Sequence, residues 1–283
     1  MELIVNILKS ILFGVVQGIT EWLPISSTGH LILLEKYLPL NIFTDAANNT
    51  EFFDMYKVVI QFGSILAVLL LYWTKLWPFG QGLSEKKKRS TYRLWIKIII
   101  ATIPAMIFGL LLDDWIDSKM STPIVIAIAL IVYGIGFIWL ERKEHTFTTT
   151  DVRKISYKNA LKVGCFQCLA LIPGTSRSGS TILGSTILGF DRSTAAEFSF
   201  YMAIPVMFGA SLLKIVKFIV KGVPMTMSGA VVLLVGTVVA FVVSVIVIRY
   251  LMEYIRKHDF QVFGVYRIVL GILILILAFT KLI

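Results

Sequence analysis

Apolar residues run in long blocks along this chain, and the polar positions are gathered between and inside them unevenly. Six blocks, near 57–75, 94–112, 123–141, 197–219, 228–250 and 264–282, are long and apolar enough to form membrane-crossing helices. Such a crossing takes about 20 helical residues. Two further regions, 3–40 and 160–190, follow another pattern: a short apolar stretch, a polar break at proline and glycine, then a second short apolar stretch. That pattern predicts a pair of short helices in a re-entrant hairpin. Irregular backbone at membrane depth is tolerated only where protein or a water-filled cavity surrounds it.

The two polar breaks look like copies of each other. The first is GVVQGITEWLPISSTGH (14–30) and the second is GCFQCLALIPGTSRSGS (164–180). Both open with Gly-x-x-Gln, at Gly14 and Gln17 and at Gly164 and Gln167. Both then break at a proline, Pro24 or Pro173, and close at Gly29 or Gly179, 15 positions after the opening glycine. The prolines are one position out of step. A second marker agrees with this alignment: Glu51-Phe52 precedes Phe62-Gly63 by the interval at which Glu197-Phe198 precedes Phe208-Gly209.

Composition makes the solvent explicit. The 283 residues are 57% hydrophobic and 16% charged, against about 45–50% and 25% in a soluble domain. The expected fold class is therefore an all-α integral membrane protein. The net charge of +10 is read as basic cytoplasmic loops rather than as a nucleic-acid surface. No cleavable signal peptide is evident, because the start lacks a basic n-region and runs directly into the first motif. Cys165 and Cys168 form a C-x-x-C pair. Without a thioredoxin-like context or a second ligand pair, they are read as small hydrophobes.

Loop charge predicts the orientation. Residues 75–93 carry Lys75, Lys86, Lys87, Lys88, Arg89 and Arg93 against Glu85, and 141–162 carries six Lys/Arg against three acids, so both loops are expected inside. The stretch 113–119, with Asp113, Asp114 and Asp117, and the acidic stretch 41–56 are expected outside. Lys214, Lys217 and Lys221 fall on the predicted outer side and count against the scheme. Following the chain through, hairpin 3–40 enters from outside and hairpin 160–190 from inside, and each precedes three spans. The expectation is a single membrane domain, 1–283, in an inverted-topology repeat. Repeat one is 1–141 and repeat two is 160–283, each a re-entrant hairpin plus three of the six transmembrane helices. Interrupted hydrophobic segments at matching positions point to a binding site between such repeats.

Polar and ionisable groups inside a bilayer are costly and by default functional. Gln17 and Glu21 lie four apart, on one helix face. Beyond Pro24 the turn supplies Ser26, Ser27, Thr28, Gly29 and His30; the second motif supplies Thr175, Ser176, Arg177, Ser178 and Gly179. Donors at a helix start bind anions, and the planar guanidinium of Arg177 suits phosphate oxygens. If the loops meet, they form an anion site with an acid/base group and room for a divalent cation. Mg²⁺ needs only one or two carboxylates when substrate phosphates complete its shell. A diphosphate fits that inventory. Each residue also has a plainer reading: the hydroxyls as helix caps or close-packing residues, Glu21 and Arg177 as a structural ion pair, His30 as a cap. Glu197 and Arg267 either pair with a motif residue or orient a helix end. Asp191 and Arg192 read as a solvated turn, and His145 and His258 as solvated in loops.

At these residues the chain resembles the bacterial undecaprenyl-diphosphate phosphatase family, the bacitracin-resistance proteins. The resemblance rests on Gln17-x-x-x-Glu21, PISSTGH (24–30), GCFQC (164–168) and PGTSRSG (173–179), with VVIQFGSILAV (58–68) and AAEFSFYMAIP (195–205), and runs over essentially the whole length. It implies removal of the terminal phosphate from undecaprenyl diphosphate, which recycles the lipid carrier for cell-wall synthesis and confers bacitracin resistance. It also implies dependence on a divalent cation, Mg²⁺ or Ca²⁺, and a multi-pass protein of the bacterial plasma membrane. The site is expected to open to the extracytoplasmic side. Gln17 stands where many members carry glutamate, so a two-carboxylate metal site is not assumed.

The expected roles follow from both lines. Glu21, Ser27, His30 and Arg177 are the catalytic candidates, with Glu21 and Gln17 holding the metal. Ser26, Thr28, Gly29, Thr175, Ser176, Ser178 and Gly179 are the substrate-binding candidates. Ser27 attacks the terminal phosphorus or positions water, and His30, three residues on, handles the proton. The expected partners are a polyprenyl diphosphate and membrane lipids, with no nucleic acid; a homodimer is the one protein assembly considered. Two rival classes are a secondary transporter, which would accumulate substrate without turnover, and a type 2 phosphatidic acid phosphatase. The second needs a Lys-x6-Arg-Pro motif that the chain lacks.

Overall fold

The computed structural model describes residues 1–80, 82–143 and 146–282, with the side chains of Asp113, Asp114 and Asp117 outside the description. His145 also lies outside the described residues. The helices are α1 (Glu2–Thr20), α2 (Ser27–Tyr37), α3 (Ala46–Leu71), α4 (Trp73–Leu76), α5 (Glu85–Met120) and α6 (Pro123–Glu141). They continue as α7 (Tyr157–Cys168), α8 (Arg177–Ile187), α9 (Arg192–Val220), α10 (Met227–Lys257) and α11 (Gln261–Phe279). Among the described residues there is no strand, only an isolated bridge between Thr149 and Phe190.

Seven of these helices, α1, α3, α5, α6, α9, α10 and α11, are long and apolar enough to cross a membrane. The sequence led to six; the seventh candidate is α1, one unbroken helix of 19 residues where a short stretch was expected. Several others outrun their apolar blocks. Helix α5 continues through 113–119, where an outer loop was expected, and α3 begins at Ala46 rather than near 57. The reason is that helical hydrogen bonds are local and persist into polar surroundings, whereas hydropathy marks only the part in hydrocarbon.

The ends are set by capping side chains. Asp45, Ser84, Thr122, Ser156, Asp191 and Thr226 accept a backbone N–H in the first turn of α3, α5, α6, α7, α9 and α10. Such a cap contributes about 1 kcal/mol.

Burial is arranged for lipid rather than water. On α1 the buried face is Asn6, Ser10, Phe13, Gly14, Gln17 and Gly18, and the exposed one is Ile4, Val5, Leu8, Ile11 and Leu12. Helix α10 exposes Leu234, Val238, Val242 and Ile246, one stripe at four-residue spacing. A soluble surface does not carry apolar bands of this extent. Close packing comes from small residues. A Cβ on Gly14 would sit 2.7 Å from the Gly236 carbonyl of α10, and one on Gly164 would sit 2.3 Å from the Ala101 carbonyl of α5. The opening glycines of the two motifs thus do the same work at α1–α10 and at α7–α5. The other large contacts are α3 with α9, α3 with α10 and α6 with α11.

Polar residues outside the motifs find partners too. Glu197 joins Lys75 and the Tyr201 hydroxyl instead of either motif. The 191–192 turn is not simply solvated: Asp191 caps α9, and Arg192 reaches back to a buried Glu141. Lys221 pairs with Glu51, which softens its awkward place in the charge scheme. His258 is exposed and stacks on Tyr254. Cys165 is exposed and Cys168 half-buried, and the two are not joined in a disulfide.

Candidate active site

Both motifs fold alike. Each breaks its first helix and re-enters helix at a serine with a positive φ, Ser26 at 74° before α2 and Ser176 at 71° before α8. Non-glycine residues rarely adopt this backbone, and it persists only where the surroundings over-determine it. Here each serine hydroxyl accepts the N–H of the closing glycine, Gly29 or Gly179. The strained turn brings the first helical residue of each short helix, Ser27 and Arg177, to one side chain: Glu21.

Glu21 is the centre of the arrangement. Its Oε2 accepts from Ser27 Oγ at 2.7 Å and from Gln17 Nε2 at 3.0 Å. Its Oε1 accepts from Arg177 Nη2 at 3.0 Å. The carboxylate is 4% exposed and the Arg177 side chain 11% exposed, so the pair lies out of water. Arg177 Nη1 donates to the Ser199 carbonyl at 2.7 Å, and the guanidinium stands over the Trp22 ring. Ser178 Oγ donates to the Glu21 carbonyl at 3.0 Å, a direct bond between the motifs. Two helix N-termini, each carrying partial positive charge, therefore converge on one buried carboxylate.

A second arginine binds the loops to each other. Arg267, fully buried on α11, donates to the carbonyls of Pro24 in the first motif and of Gly174 and Thr175 in the second, at 2.8–2.9 Å. A longer bond reaches the Leu130 carbonyl on α6. Among the described residues it has no carboxylate partner, so its charge adds to the positive potential at the loops.

Of the predicted site residues, Gln17, Glu21, Ser27, Arg177 and Ser178 come together. Ser26, Gly29, Ser176 and Gly179 build the turns, and Thr28 is half-buried beside them. Thr175 turns its hydroxyl to the Leu169 and Ile172 carbonyls of its own loop. The expected Ser27–His30 pair is corrected. His30 Nδ1 donates to the Ser26 carbonyl and Nε2 bonds the Tyr266 hydroxyl, both at 2.7 Å. Both ring nitrogens of His30 are taken by the Ser26 carbonyl and by Tyr266 of α11, whereas Ser27, at the helix start, bonds the carboxylate of Glu21 at the end of α1. Sequence reasoning had no signal for Trp22, Ser199 or Tyr266, and Arg267 stood out only as a charge inside an apolar block.

The comparisons with known proteins now bear directly on this geometry. The family described as bacitracin resistance protein BacA matches residues 10–273. This chain belongs to that family. It is similar to an undecaprenyl-diphosphatase of Streptococcus thermophilus, 51% identical over 100% of this chain and 96% of the relative. An undecaprenyl-diphosphatase of Streptococcus pyogenes is 48% identical over 99% of each chain. The matched span of the family includes both motifs and Arg267, so every residue of the arrangement lies inside it.

A divalent cation can be tested against the donors present. Among the described residues, Gln17 Oε1 is buried without a hydrogen-bond partner, close to the Glu21 carboxylate that its own amide nitrogen engages. A buried, unpaired oxygen beside a carboxylate calls for a donor or a cation. Among the described residues no three His, Cys, Asp or Glu side chains cluster as a metal site. The set fits a hard cation that takes most of its oxygen ligands from a bound diphosphate.

Proposed function

We propose that this chain is an undecaprenyl-diphosphate phosphatase, which hydrolyses undecaprenyl diphosphate to undecaprenyl phosphate and phosphate and so returns the lipid carrier to cell-wall synthesis. The observation that carries the reading is the bond from Ser27 Oγ to Glu21 Oε2, with Arg177 on the other carboxylate oxygen. An activated hydroxyl and an arginine at two helix N-termini are what transfer of a phosphoryl group requires. The diphosphatases that this chain resembles act, by their name, on that substrate.

In the mechanism, Ser27 Oγ forms a bond to the terminal phosphorus while its proton passes to the Glu21 carboxylate. The bond from that phosphorus to the bridging oxygen breaks, and undecaprenyl phosphate leaves. Water then attacks the phosphoserine, Glu21 managing the proton, and Ser27 is restored as phosphate departs. Arg177 exchanges its bond with Glu21 for the phosphoryl oxygens as charge grows on them. Its Nε is buried and unpartnered, a donor available to an arriving anion. Arg267 acts at a distance, as a positioning residue that sets the spacing of the two loops. When bound, a divalent cation at Gln17 and Glu21 supplies charge neutralisation to the diphosphate.

The same reading includes the topology. Helices α2, α7 and α8 have 11, 12 and 11 residues, about 16–18 Å of helix against a core of about 30 Å. Hairpin 160–190, both of whose helices are short, is then re-entrant; in hairpin 3–40 only α2 is too short to cross, and its match to 160–190 carries the same assignment, with repeats 1–141 and 160–283 related by inversion. Exchange of the halves supports this, because it carries the α1–α10 contact onto α7–α5 and returns α3–α9 and α6–α11 to themselves. With the basic loop 75–93 inside, the protein resides in the bacterial plasma membrane with its site open to the extracytoplasmic side.

The test is phosphate release by purified protein from a long-chain prenyl diphosphate, with and without chelator. Stoichiometric phosphate and prenyl monophosphate, lost on chelation and restored by Mg²⁺ or Ca²⁺, are expected. Uptake of intact diphosphate into vesicles without hydrolysis would make the chain a transporter instead.

A further inference from the structure

Away from the two motifs, the first turns of α5 carry Lys86, Arg89, Ser90 and Arg93 on one face. This is the i, i+3, i+4, i+7 spacing of a helical stripe. Facing it, Arg153 projects from the 3-10 turn Val152–Lys154 that leads toward α7. Between them lies a cavity of about 530 Å³, lined by these five residues and Glu85. Glu85 is engaged by Lys88 at 2.8 Å, outside the lining. Among the described residues, Lys86, Arg89, Arg93 and Arg153 have no acidic partner. The cavity is a place where four cations converge and one acid is already compensated.

Its walls are tied together. Lys97 Nζ of α5 donates to the Arg153 carbonyl at 2.8 Å, and the Asp151 carboxylate accepts the Arg153 backbone N–H at 2.8 Å. Val152 and Ile155, on either side, are buried. The basic groups are thus held facing one another, although mutual repulsion favours their separation.

The depth of the cavity is marked by aromatic residues. Trp73 and Trp77 stack at 4.4 Å, Trp77 meets Phe79 at 5.3 Å, and Phe79 meets Tyr92 of α5 at 6.1 Å. All four rings are exposed. Exposed Trp and Tyr at the end of apolar helices mark the level of lipid headgroups. A basic pocket between helices at that level matches the charge of an anionic headgroup.

We propose that this cavity binds the phosphate of an anionic phospholipid, with the acyl chains lying along the apolar outer face of α5. The site is separate from the Glu21–Arg177 centre and does not depend on the reaction assigned there. Its occupant links the start of α5 to the turn before α7, the helix that delivers the second motif.

The experiment uses the full chain, delipidated in a neutral detergent and examined by native mass spectrometry. Dioleoyl phosphatidylglycerol and dioleoyl phosphatidylcholine are the probes. Retention of phosphatidylglycerol at a concentration at least tenfold below that needed for phosphatidylcholine is expected. The double variant Arg89→Gln/Arg153→Gln removes two of the four cations and is expected to weaken phosphatidylglycerol binding roughly thirtyfold, with detergent-solubilised phosphatase activity unchanged. Equal retention of the two lipids by the wild-type chain overturns the proposal, and that comparison stands even if the variant fails to fold. Unchanged phosphatidylglycerol binding by a folded variant overturns it as well. Displacement by millimolar inorganic phosphate would make this a free-anion site, and preferential displacement by a prenyl monophosphate would assign it to the reaction product.

Discussion

At the scale of single residues, the decisive contact is the one between Ser27 and Glu21. In the proposed mechanism this contact puts the base of the hydroxyl already in place, and the carboxylate is held by Gln17 and Arg177. Groups that act as a unit give non-additive losses. Glu21→Gln and Ser27→Ala are each expected to lower kcat by about 3 kcal/mol or more, and the double variant to be scarcely worse than either. Steady-state phosphate release by the three variants measures this; strictly multiplicative losses would mean that the two residues act separately. His30 belongs to another set of contacts, between the Ser26 carbonyl and Tyr266. Tyr266→Phe removes the hydroxyl bonded to its Nε2. If His30 orients the Ser26 turn, this variant keeps the pH dependence of the wild type while its rate falls less than that of Ser27→Ala.

Helices and turns impose their own tests. Ser26 and Ser176 combine a cap with a positive φ, two demands that alanine and glycine separate. Alanine loses the cap and keeps the strain; glycine loses the cap but relaxes the backbone. Ser176→Ala is therefore expected to lower the unfolding temperature in detergent by more than Ser176→Gly does. Equal effects would mean that the φ of this residue costs nothing. The close approach of α7 to α5 predicts that Gly164→Val is strongly destabilising, because the Ala101 carbonyl is backbone and has little room to move. Overpacking of this kind costs about 1–3 kcal/mol.

For the whole molecule the connection between halves is the issue, and Arg267 embodies it. Arg267→Met fills similar volume but leaves the Pro24, Gly174 and Thr175 carbonyls without their donor. Each buried acceptor left unsatisfied costs about 1–3 kcal/mol. Loss of thermal stability and a fall in kcat greater than any rise in KM are expected, with Arg267→Lys only partly restoring either. Topology is tested by cysteines at Lys87 and Lys119, after Cys165 and Cys168 are replaced by serine. The two are expected to label from opposite sides of the membrane, Lys119 from outside. Labelling from one face would remove the inverted repeat.

The amino-acid sequence by itself determined that the chain is helical and lipid-solvated, because apolar block length and loop charge are local quantities that the bilayer reads directly. It also marked where the buried polar groups gather, since Gln17, Glu21, Ser27 and Arg177 fall in two duplicated breaks among apolar residues. The length of α1, the run of α5 through 113–119 and the partners of Arg192 were not legible in hydropathy. Tertiary structure alone decided which side chains meet. Spacing of three suggested Ser27 with His30, yet Ser27 bonds Glu21 and His30 bonds Tyr266 of α11. Glu21 meets Arg177 across 156 positions, and Arg267 reaches Pro24 across 243. Contacts at such separations depend on how helices pack, and packing is set by the shapes of many residues together rather than by any motif.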